Sequence, residues 1–174
     1  GDTVGLITYM RTDSLALTKD ALHELREYIQ KNFESEYLPR APIHYRNKSK
    51  NAQEAHEAIR PTSVFRTPEA MRKHLTPEQA ALYEIIWKRT LACQMTPARY
   101  DTTTADLSAG RADTLFRATG QILVFPGFMA VYLEDADDTE QEEEARLPQL
   151  EEKEAVPIDR LFGEQHFTQP PPRY

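Results

Sequence analysis

The spacing of apolar residues changes after Pro97, and this change limits the folds that the chain can adopt. Up to that point apolar residues recur at helical spacing, whereas residues 99–134 are rich in Thr, Val, Phe and Tyr, alternate in polarity and are broken by Gly. We expect about four strands there, with turns at 108–111 and 125–128, and one further strand at 155–162. Consecutive strands without helices between them indicate an antiparallel sheet or a partial arch or barrel. The predicted class is therefore α+β.

The helical half carries local start signals for three helices. A threonine suited to N-capping opens residues 18–33, where apolar residues follow at helical spacing. The same Thr-Pro-Glu start then occurs at Thr67 and at Thr76, with Pro at the first helical position. The second of these helices should cover residues 77–95 and form the centre of the core. Residues 53–61 are predicted to form a short helix or helical turn that ends at a proline.

Acidic residues are concentrated in one segment of the chain. The net charge is −7 at pH 7, but residues 135–154 hold 10 acidic and 2 basic side chains, which leaves +1 for the remainder. A dense block of like charge is typical of a solvated, disordered loop. The overall acidity therefore does not exclude a nucleic-acid partner.

Composition excludes several other classes of protein. The single cysteine, Cys93, allows no internal disulfide and fits a reducing, intracellular setting. No stretch reaches the roughly 20 apolar residues that cross a membrane, so no membrane partner is expected. A length of 174 residues suits one compact domain or two small ones. The chain opens on "GDTVGLITY" without a methionine and ends on "HFTQPPPRY", and we interpret it as an internal piece of a longer protein.

The stretch "GLITYMRTDS" places Tyr9 and Arg11 where an apolar run becomes polar. A tyrosine hydroxyl, with an ordinary pKa near 10, attacks phosphorus only when positive charge stabilises its phenolate. Arg11 can supply that charge and two donors for phosphate oxygens, because residues 9 and 11 of a strand point to the same face. Asp13 and Ser14 could orient Arg11 or start the next helix. On local chemistry alone, a core tyrosine with a hydrogen-bonded hydroxyl is the favoured alternative.

A second polar cluster lies in "EAHEAIRP". His56 and Arg60 would share one face of the predicted helix and could clamp a phosphate, or they could be a surface pair braced by neighbouring glutamates. The zinc motif HExxH fails because residue 60 is arginine.

The loop 38–52 carries several bases interleaved with an aromatic residue, among them Arg46 and Lys48. Such a composition suits the path of a single-stranded nucleic acid. A plain solvated loop is an equally good interpretation.

The strings "TYMRTDS" and "EAHEAIRP", some forty residues apart, together resemble the type IA DNA topoisomerases. Methionine after the tyrosine points to the bacterial topoisomerase I branch, because reverse gyrase and topoisomerase III typically have proline there. Two more strings, "LACQMTPARYDTTT" and "HFTQPPPRY", resemble the same branch. The resemblance covers nearly the whole chain and is weakest over residues 135–154.

This resemblance implies roles for individual residues. Tyr9 would attack one strand of single-stranded DNA and form a 5′-phosphotyrosyl link, with Arg11 on the scissile phosphate and His56 assisting binding and cleavage. Asp13 would lie near the site, and Arg60 would contact DNA. The implied activity is ATP-independent relaxation of negatively supercoiled DNA by cleavage, strand passage and religation.

The resemblance also implies what other parts of such a protein supply. In this family a separate Toprim domain provides a glutamate, a lysine and the acidic triad that binds Mg²⁺. The sequence shows no such elements, so we expect no metal in this fragment and no activity from it alone. The expected partners are single-stranded DNA and the remaining domains of the parent chain, in a monomer of the bacterial cytoplasm associated with the nucleoid.

Three domains follow from the resemblance. Residues 1–97 would form a helical gate domain with the catalytic tyrosine, residues 98–165 a partial β-rich arch, and residues 166–174 the start of the next domain. One rival hypothesis is a non-catalytic module that binds single-stranded nucleic acid, with Tyr9 as a stacking or core residue. Another is a protein-interaction piece that acts through the acidic loop.

Overall fold

The computed structural model describes residues 5–12, 14–45, 56–108, 115–133, 147–148, 150–160, 163, 165 and 167–168. Within these residues, three α-helices precede a two-stranded antiparallel sheet, which confirms the α+β class. The helices are α1 (Lys19–Asn32), α2 (Pro68–Met71) and α3 (Pro77–Ala92), and the strands are β1 (Arg99–Ser108) and β2 (Leu115–Phe125). Short 3₁₀ turns lie at Ser35–Tyr37, Arg72–His74 and Gly127–Ala130.

All three helices begin at the predicted threonines. In each case the threonine hydroxyl accepts a backbone N–H from the first turn and so satisfies a donor that has no partner within the helix. The cap of α3 is complete, because the Gln79 side chain also accepts from the amide of Thr76 at 3.1 Å. The far end of α3 differs from expectation, since the helix stops at Ala92 and not near Met95.

The core lies between α1, α3 and the chain that leads into α2. Ile29 and Leu91 are fully buried, and Trp87 donates from Nε1 to the carbonyl of Val64 at 2.8 Å. This bond satisfies the one polar group of a buried indole. The core consists of Leu25, Ile29, Val64, Tyr83, Trp87, Leu91 and Met95. The segment that reaches α2 is therefore fixed to α3, as expected for a helix at the centre of the core.

A buried amide joins the end of α3 to the chain that follows α1. Gln94 is 0% exposed; its Nε2 donates to the carbonyl of Ile43 at 2.9 Å, and its Oε1 accepts from the amide of Ile43 at 3.1 Å. Nearby, the Tyr45 hydroxyl donates to the carbonyl of Cys93 at 2.9 Å. The described beginning of the basic loop is thus fastened to the helical body.

The β half contains fewer and longer strands than predicted. The described residues hold two strands where about four were expected, paired in register with Thr104 opposite Thr119 and an irregularity beside Arg99. Gly120 does not end a strand, because it lies inside β2 opposite Thr103. Residues 155–160 form no strand. The turn predicted at 108–111 and most of the acidic loop lie outside the described residues.

The hairpin joins the helical part through a tight backbone contact at Gly127. Gly127 has a φ of 52°, and the next amide, that of Phe128, donates to the carbonyl of Thr96 at 2.9 Å. The rings of Tyr37 and Phe125 pack beside this contact, with centroids 4.7 Å apart. The two halves are therefore held by backbone bonding as well as by side-chain packing.

Candidate active site

The helix predicted over 53–61 is wrong for residues 56–60, which run beside the segment that precedes Tyr9. Ile7 and Pro61 form an antiparallel bridge. On either side of it, Thr8 donates its amide to Arg60 and Thr62 donates its amide to Leu6, both at 2.9 Å. Local helix propensity is overridden because these backbone groups bond to a distant segment. Residues 53–55 lie outside the described residues.

The Thr8 side chain strengthens this pairing. Its Oγ1 donates to the carbonyl of Ala58 at 2.8 Å and accepts from the amide of Arg60 at 2.9 Å. On the other side, the amide of Ala58 donates to the carbonyl of Ala16 at 2.8 Å. Residues 56–60 are thus held between the two ends of the segment that carries Tyr9.

The pairing brings Tyr9, Arg11 and His56 together. The rings of Tyr9 and His56 lie with centroids 5.6 Å apart and planes tilted by 40°. Nη1 of Arg11 is 3.4 Å from Nε2 of His56, and Nε2 accepts in this contact because a guanidinium can only donate. Tyr9 is 67% exposed, which contradicts the alternative of a core tyrosine.

This arrangement suits a phosphate at the tyrosine hydroxyl. The guanidinium of Arg11 is always charged and offers paired donors to phosphate oxygens. Arg11 and Tyr9 both contact His56, so the imidazole links the guanidinium to the phenol ring. An exposed tyrosine, a guanidinium and an imidazole are therefore neighbours at this site.

Arg60 does not share a helix face with His56, because residues 56–60 form no helix. The two side chains also contact different partners. The carboxylate of Glu57 accepts from Nε of Arg60 at 2.8 Å and from its Nη2 at 2.9 Å, while Nη1 donates to the carbonyl of Pro61 at 2.8 Å. The Glu57 carboxylate also accepts from the amide of Thr18 at 2.9 Å. Burial alone would raise the pKa of Glu57, but the hydrogen bonds from Arg60 and Thr18 outweigh it and lower that pKa.

Comparison with known proteins places the chain in a family. A family profile described as DNA topoisomerase matches residues 2–174. The chain is 53% identical over 175 residues to DNA topoisomerase 1 of Xylella fastidiosa strain Temecula1, covering 99% of this chain and 21% of that protein. It is 47% identical over 173 residues to DNA topoisomerase 1 of Rickettsia felis, covering 99% of this chain and 22% of that protein.

The chain belongs to the bacterial type IA DNA topoisomerases. It is also similar to the structure of full-length topoisomerase I from Thermotoga maritima, at 40% identity and a TM-score of 0.62 over 74% of this chain and 19% of that one. This topoisomerase chain thus spans about a fifth of the length of the curated relatives it matches.

Three predicted DNA-binding residues of this topoisomerase chain lie outside the described residues: Asp13, Arg46 and Lys48. Their roles remain predictions. The described chain stops at Tyr45, just before Arg46, and resumes at His56.

The described residues of the topoisomerase chain do not fit a bound metal ion. Over those ranges, no group of three or more His, Cys, Asp and Glu side chains could hold one. We therefore derive no step of the chemistry through a metal on this part of the chain. The same residues also include no helix that is long and apolar enough to cross a membrane.

Two residues of the site were not singled out from the sequence of this topoisomerase. Thr8 is a polar residue within an apolar run, and that break in the pattern was the available signal. Glu57 was considered only as a surface brace for the His-Arg pair. Both make contacts with residues that are distant in sequence, which no local pattern reveals.

Proposed function

We propose that this chain carries the strand-cleaving tyrosine of a type IA topoisomerase and that Tyr9 is that residue. The Tyr9 hydroxyl oxygen attacks a backbone phosphorus of single-stranded DNA. The phenol gives up its proton to solvent as the Tyr9 O–P bond forms. The P–O3′ bond breaks with its electron pair on O3′, which takes up a proton, and this leaves a 5′-phosphotyrosyl link and a free 3′-hydroxyl. Attack by that 3′-hydroxyl reverses the reaction. No ATP is required, because the new ester stores the energy of the broken one.

The observation that carries this proposal is the exposed Tyr9 beside the Arg11–His56 contact. The attacking phenolate carries a negative charge, and negative charge builds on the phosphate oxygens as phosphorus is attacked. The guanidinium of Arg11 stabilises both. His56, which accepts from Arg11, orients that guanidinium and assists binding and cleavage. Arg11 and His56 therefore act together on the scissile phosphate.

We further propose that DNA contacts extend beyond these residues to Asp13, Arg46, Lys48 and Arg60. Arg46 and Lys48 would continue the path of a single strand, supported by the basic composition of residues 38–52. Asp13 would lie near the site, as the family resemblance implies. Arg60 is the weakest member of the set, since its guanidinium is paired with Glu57 and its side chain is 13% exposed.

The other parts of the reaction belong to other domains of the parent protein. In this proposal residues 1–97 are a gate domain, residues 98–165 are part of a β-rich arch, and residues 166–174 begin a further domain. A Toprim domain elsewhere in the parent would bind Mg²⁺, so the chain alone would not relax supercoils. The chain covers only about a fifth of its relatives' length, which leaves room for further domains in the parent. The parent would act as a monomer in the bacterial cytoplasm, at the nucleoid.

Trapping of a covalent adduct tests the proposal. The full-length protein that contains this sequence is incubated with Mg²⁺ and a labelled single-stranded oligonucleotide, and denatured before electrophoresis. Tyr9→Phe should abolish the adduct. Tyr132→Phe is the matched control. The Cζ atom of Arg89 lies 5.0 Å from the centroid of the Tyr132 ring, and a phenylalanine ring keeps that contact. An adduct that survives Tyr9→Phe refutes the assignment. Salt-dependent binding without any adduct would favour the non-catalytic binding module.

A further inference from the structure

We propose that Thr8 and Glu57 are positioning residues that hold His56 beside Tyr9 and Arg11 in the geometry that cleavage requires. This proposal rests on the proposed function of Tyr9. Neither side chain makes a described contact with Tyr9, Arg11 or His56. Both fix the backbone on which those residues stand.

The direct contacts of His56 are too weak to hold it. The 3.4 Å separation from Arg11 is long for a charge-assisted hydrogen bond, which ordinarily lies at about 2.7–2.9 Å. Its approach to the Tyr9 ring is a tilted aromatic contact at 5.6 Å. The position of His56 is therefore set by the backbone of the residues that follow it.

Thr8 fixes that backbone from the side of Tyr9. Its amide and its hydroxyl bond to Ala58 and Arg60 at distances of 2.8 and 2.9 Å, on both sides of Ile59. Thr8 directly precedes Tyr9, so these bonds also hold the backbone at Tyr9 in place. Loss of the hydroxyl would let the two segments shift relative to each other. A misplacement of about 1 Å can lower a rate roughly 100-fold.

Glu57 fixes the same backbone from the side of α1. Its carboxylate bonds to the amide of Thr18, the N-cap of that helix, and to the guanidinium of Arg60. The side chains of Glu57 and Arg60 are only 20% and 13% exposed, so water replaces these bonds poorly. Glu57 directly follows His56 in the sequence. Its bond to Thr18 therefore fixes the position of the imidazole relative to the start of α1.

Arg60 belongs to this arrangement through Glu57. Its Nε, Nη1 and Nη2 all donate to protein acceptors. Arg60→Lys keeps the charge but cannot reproduce the two parallel bonds to a carboxylate. A positioning role predicts a slower cleavage rate for Arg60→Lys, whereas a simple phosphate contact predicts that the rate and the salt dependence of binding are both retained.

The test compares two threonines on the same pair of segments. Thr62 lies across the Ile7–Pro61 bridge from Thr8, and its Oγ1 donates to the carbonyl of Gly5 at 2.8 Å. Thr8→Val and Thr62→Val each remove one hydroxyl at nearly constant shape. In the full-length protein, the single-turnover rate of adduct formation is measured with Mg²⁺ and saturating oligonucleotide. Oligonucleotide affinity is measured separately in the Tyr9→Phe background.

We expect Thr8→Val to lower the cleavage rate roughly 10- to 100-fold without weakening affinity. Thr8→Ser, which keeps the hydroxyl, should restore the rate, and Thr62→Val should leave it unchanged. An unchanged rate in Thr8→Val, an equal fall in Thr62→Val, or no rescue by Thr8→Ser would overturn the proposal. If Thr8→Val does not fold, Glu57→Gln decides, because a wild-type cleavage rate in that variant would equally overturn it.

The outcomes also separate this proposal from the proposed function. An adduct that is lost in Tyr9→Phe but forms at the wild-type rate in Thr8→Val refutes the positioning roles alone. An adduct that persists in Tyr9→Phe refutes the nucleophile assignment itself.

Discussion

Arg11 and His56 are 45 residues apart in the sequence, yet Nη1 of one lies 3.4 Å from Nε2 of the other. The guanidinium is the donor, and the imidazole accepts through the nitrogen that faces it. The two residues lie on different segments, which the Ile7–Pro61 bridge and the bonds of Thr8 bring side by side. In the proposed function, the phosphate would therefore be bound by the pair and not by either residue alone.

The first prediction concerns the coupling between these two residues. Arg11→Ala should lower the rate of adduct formation roughly 100- to 1,000-fold, because a preorganised donor to the phosphate is lost. The double variant Arg11→Ala, His56→Ala should lose much less than the product of the two single losses, since residues in contact couple. The measurement is a double-mutant cycle on single-turnover cleavage.

The control for this cycle pairs Arg11→Ala with Lys31→Ala. Lys31 lies in the last turn of α1 and is paired with Glu27, so its replacement should combine with Arg11→Ala by simple multiplication. Losses for Arg11 and His56 that also multiply would show that the two residues act independently.

The second prediction is a pH-dependent contribution of Glu57 to stability. The pKa of its carboxyl lies below the ordinary value of 4.5, because bonds from Arg60 and Thr18 outweigh the opposing effect of burial. A lowered pKa in the folded state means that the stabilisation is present above the ordinary value and is lost as the pH falls through the folded value. Glu57→Gln should cost roughly 1–3 kcal/mol at pH 7.

Thermal unfolding at a series of pH values measures this effect. The gap between the wild-type chain and Glu57→Gln should narrow steadily below pH 4.5. Glu27→Gln serves as the control, because its ion pair with Lys31 is exposed and should contribute little. A gap that stays constant down to acid pH would show that the charge of Glu57 is not what stabilises the site.

The third prediction concerns the junction between the two halves. A Cβ on Gly127 would lie 2.5 Å from the carbonyl carbon and oxygen of Pro97, and the φ of 52° is itself unfavourable for any side chain. Gly127→Ala should therefore cost at least about 1–3 kcal/mol, with the clash adding to the backbone strain. Gly163→Ala is the matched control, because a Cβ there meets nothing within 4 Å. Equal melting temperatures for the two variants would contradict this account of the junction.

The fourth prediction concerns the anchor of the basic loop. Gln94→Leu removes both bonds to Ile43 and leaves the partly buried amide and carbonyl of that residue without these partners, at a cost of roughly 1–3 kcal/mol. Hydrogen exchange at the amide of Ile43 should accelerate far more than exchange in α1. Gln121→Leu, at an exposed position of β2, should leave the stability and the exchange rate at Ile43 unchanged. Protection of Ile43 that survives Gln94→Leu would rule out the anchor.

The helix starts could be predicted because their cause is local. A threonine hydroxyl bonds to an amide three residues later, so Thr67 and Thr76 carry the signal within one turn. The exact end of α3 and the number of strands were harder to predict. Gly120 resembles a strand breaker in sequence, yet cross-strand pairing with Thr103 keeps it inside β2.

Candidate residues for the site could be named from the sequence, but the way in which they come together could not. Tyr9, Arg11 and His56 could be named because their motifs resemble those of a known family. Helix formers in the segment after His56 predict a helix, whereas the segment in fact pairs with Thr8, 50 residues away from Ala58. The roles of Thr8 and Glu57 arise only from that pairing.

The most direct test of the central claim is to locate the covalent bond. The trapped adduct of the full-length protein is digested with nuclease and protease, and the peptide that retains a nucleotide is sequenced by mass spectrometry. The account predicts one modified peptide with the 5′-phosphate on Tyr9, adjacent to Thr8. A phosphate linked to any other residue, or a DNA product with its phosphate at the 3′ end of the break, would contradict it.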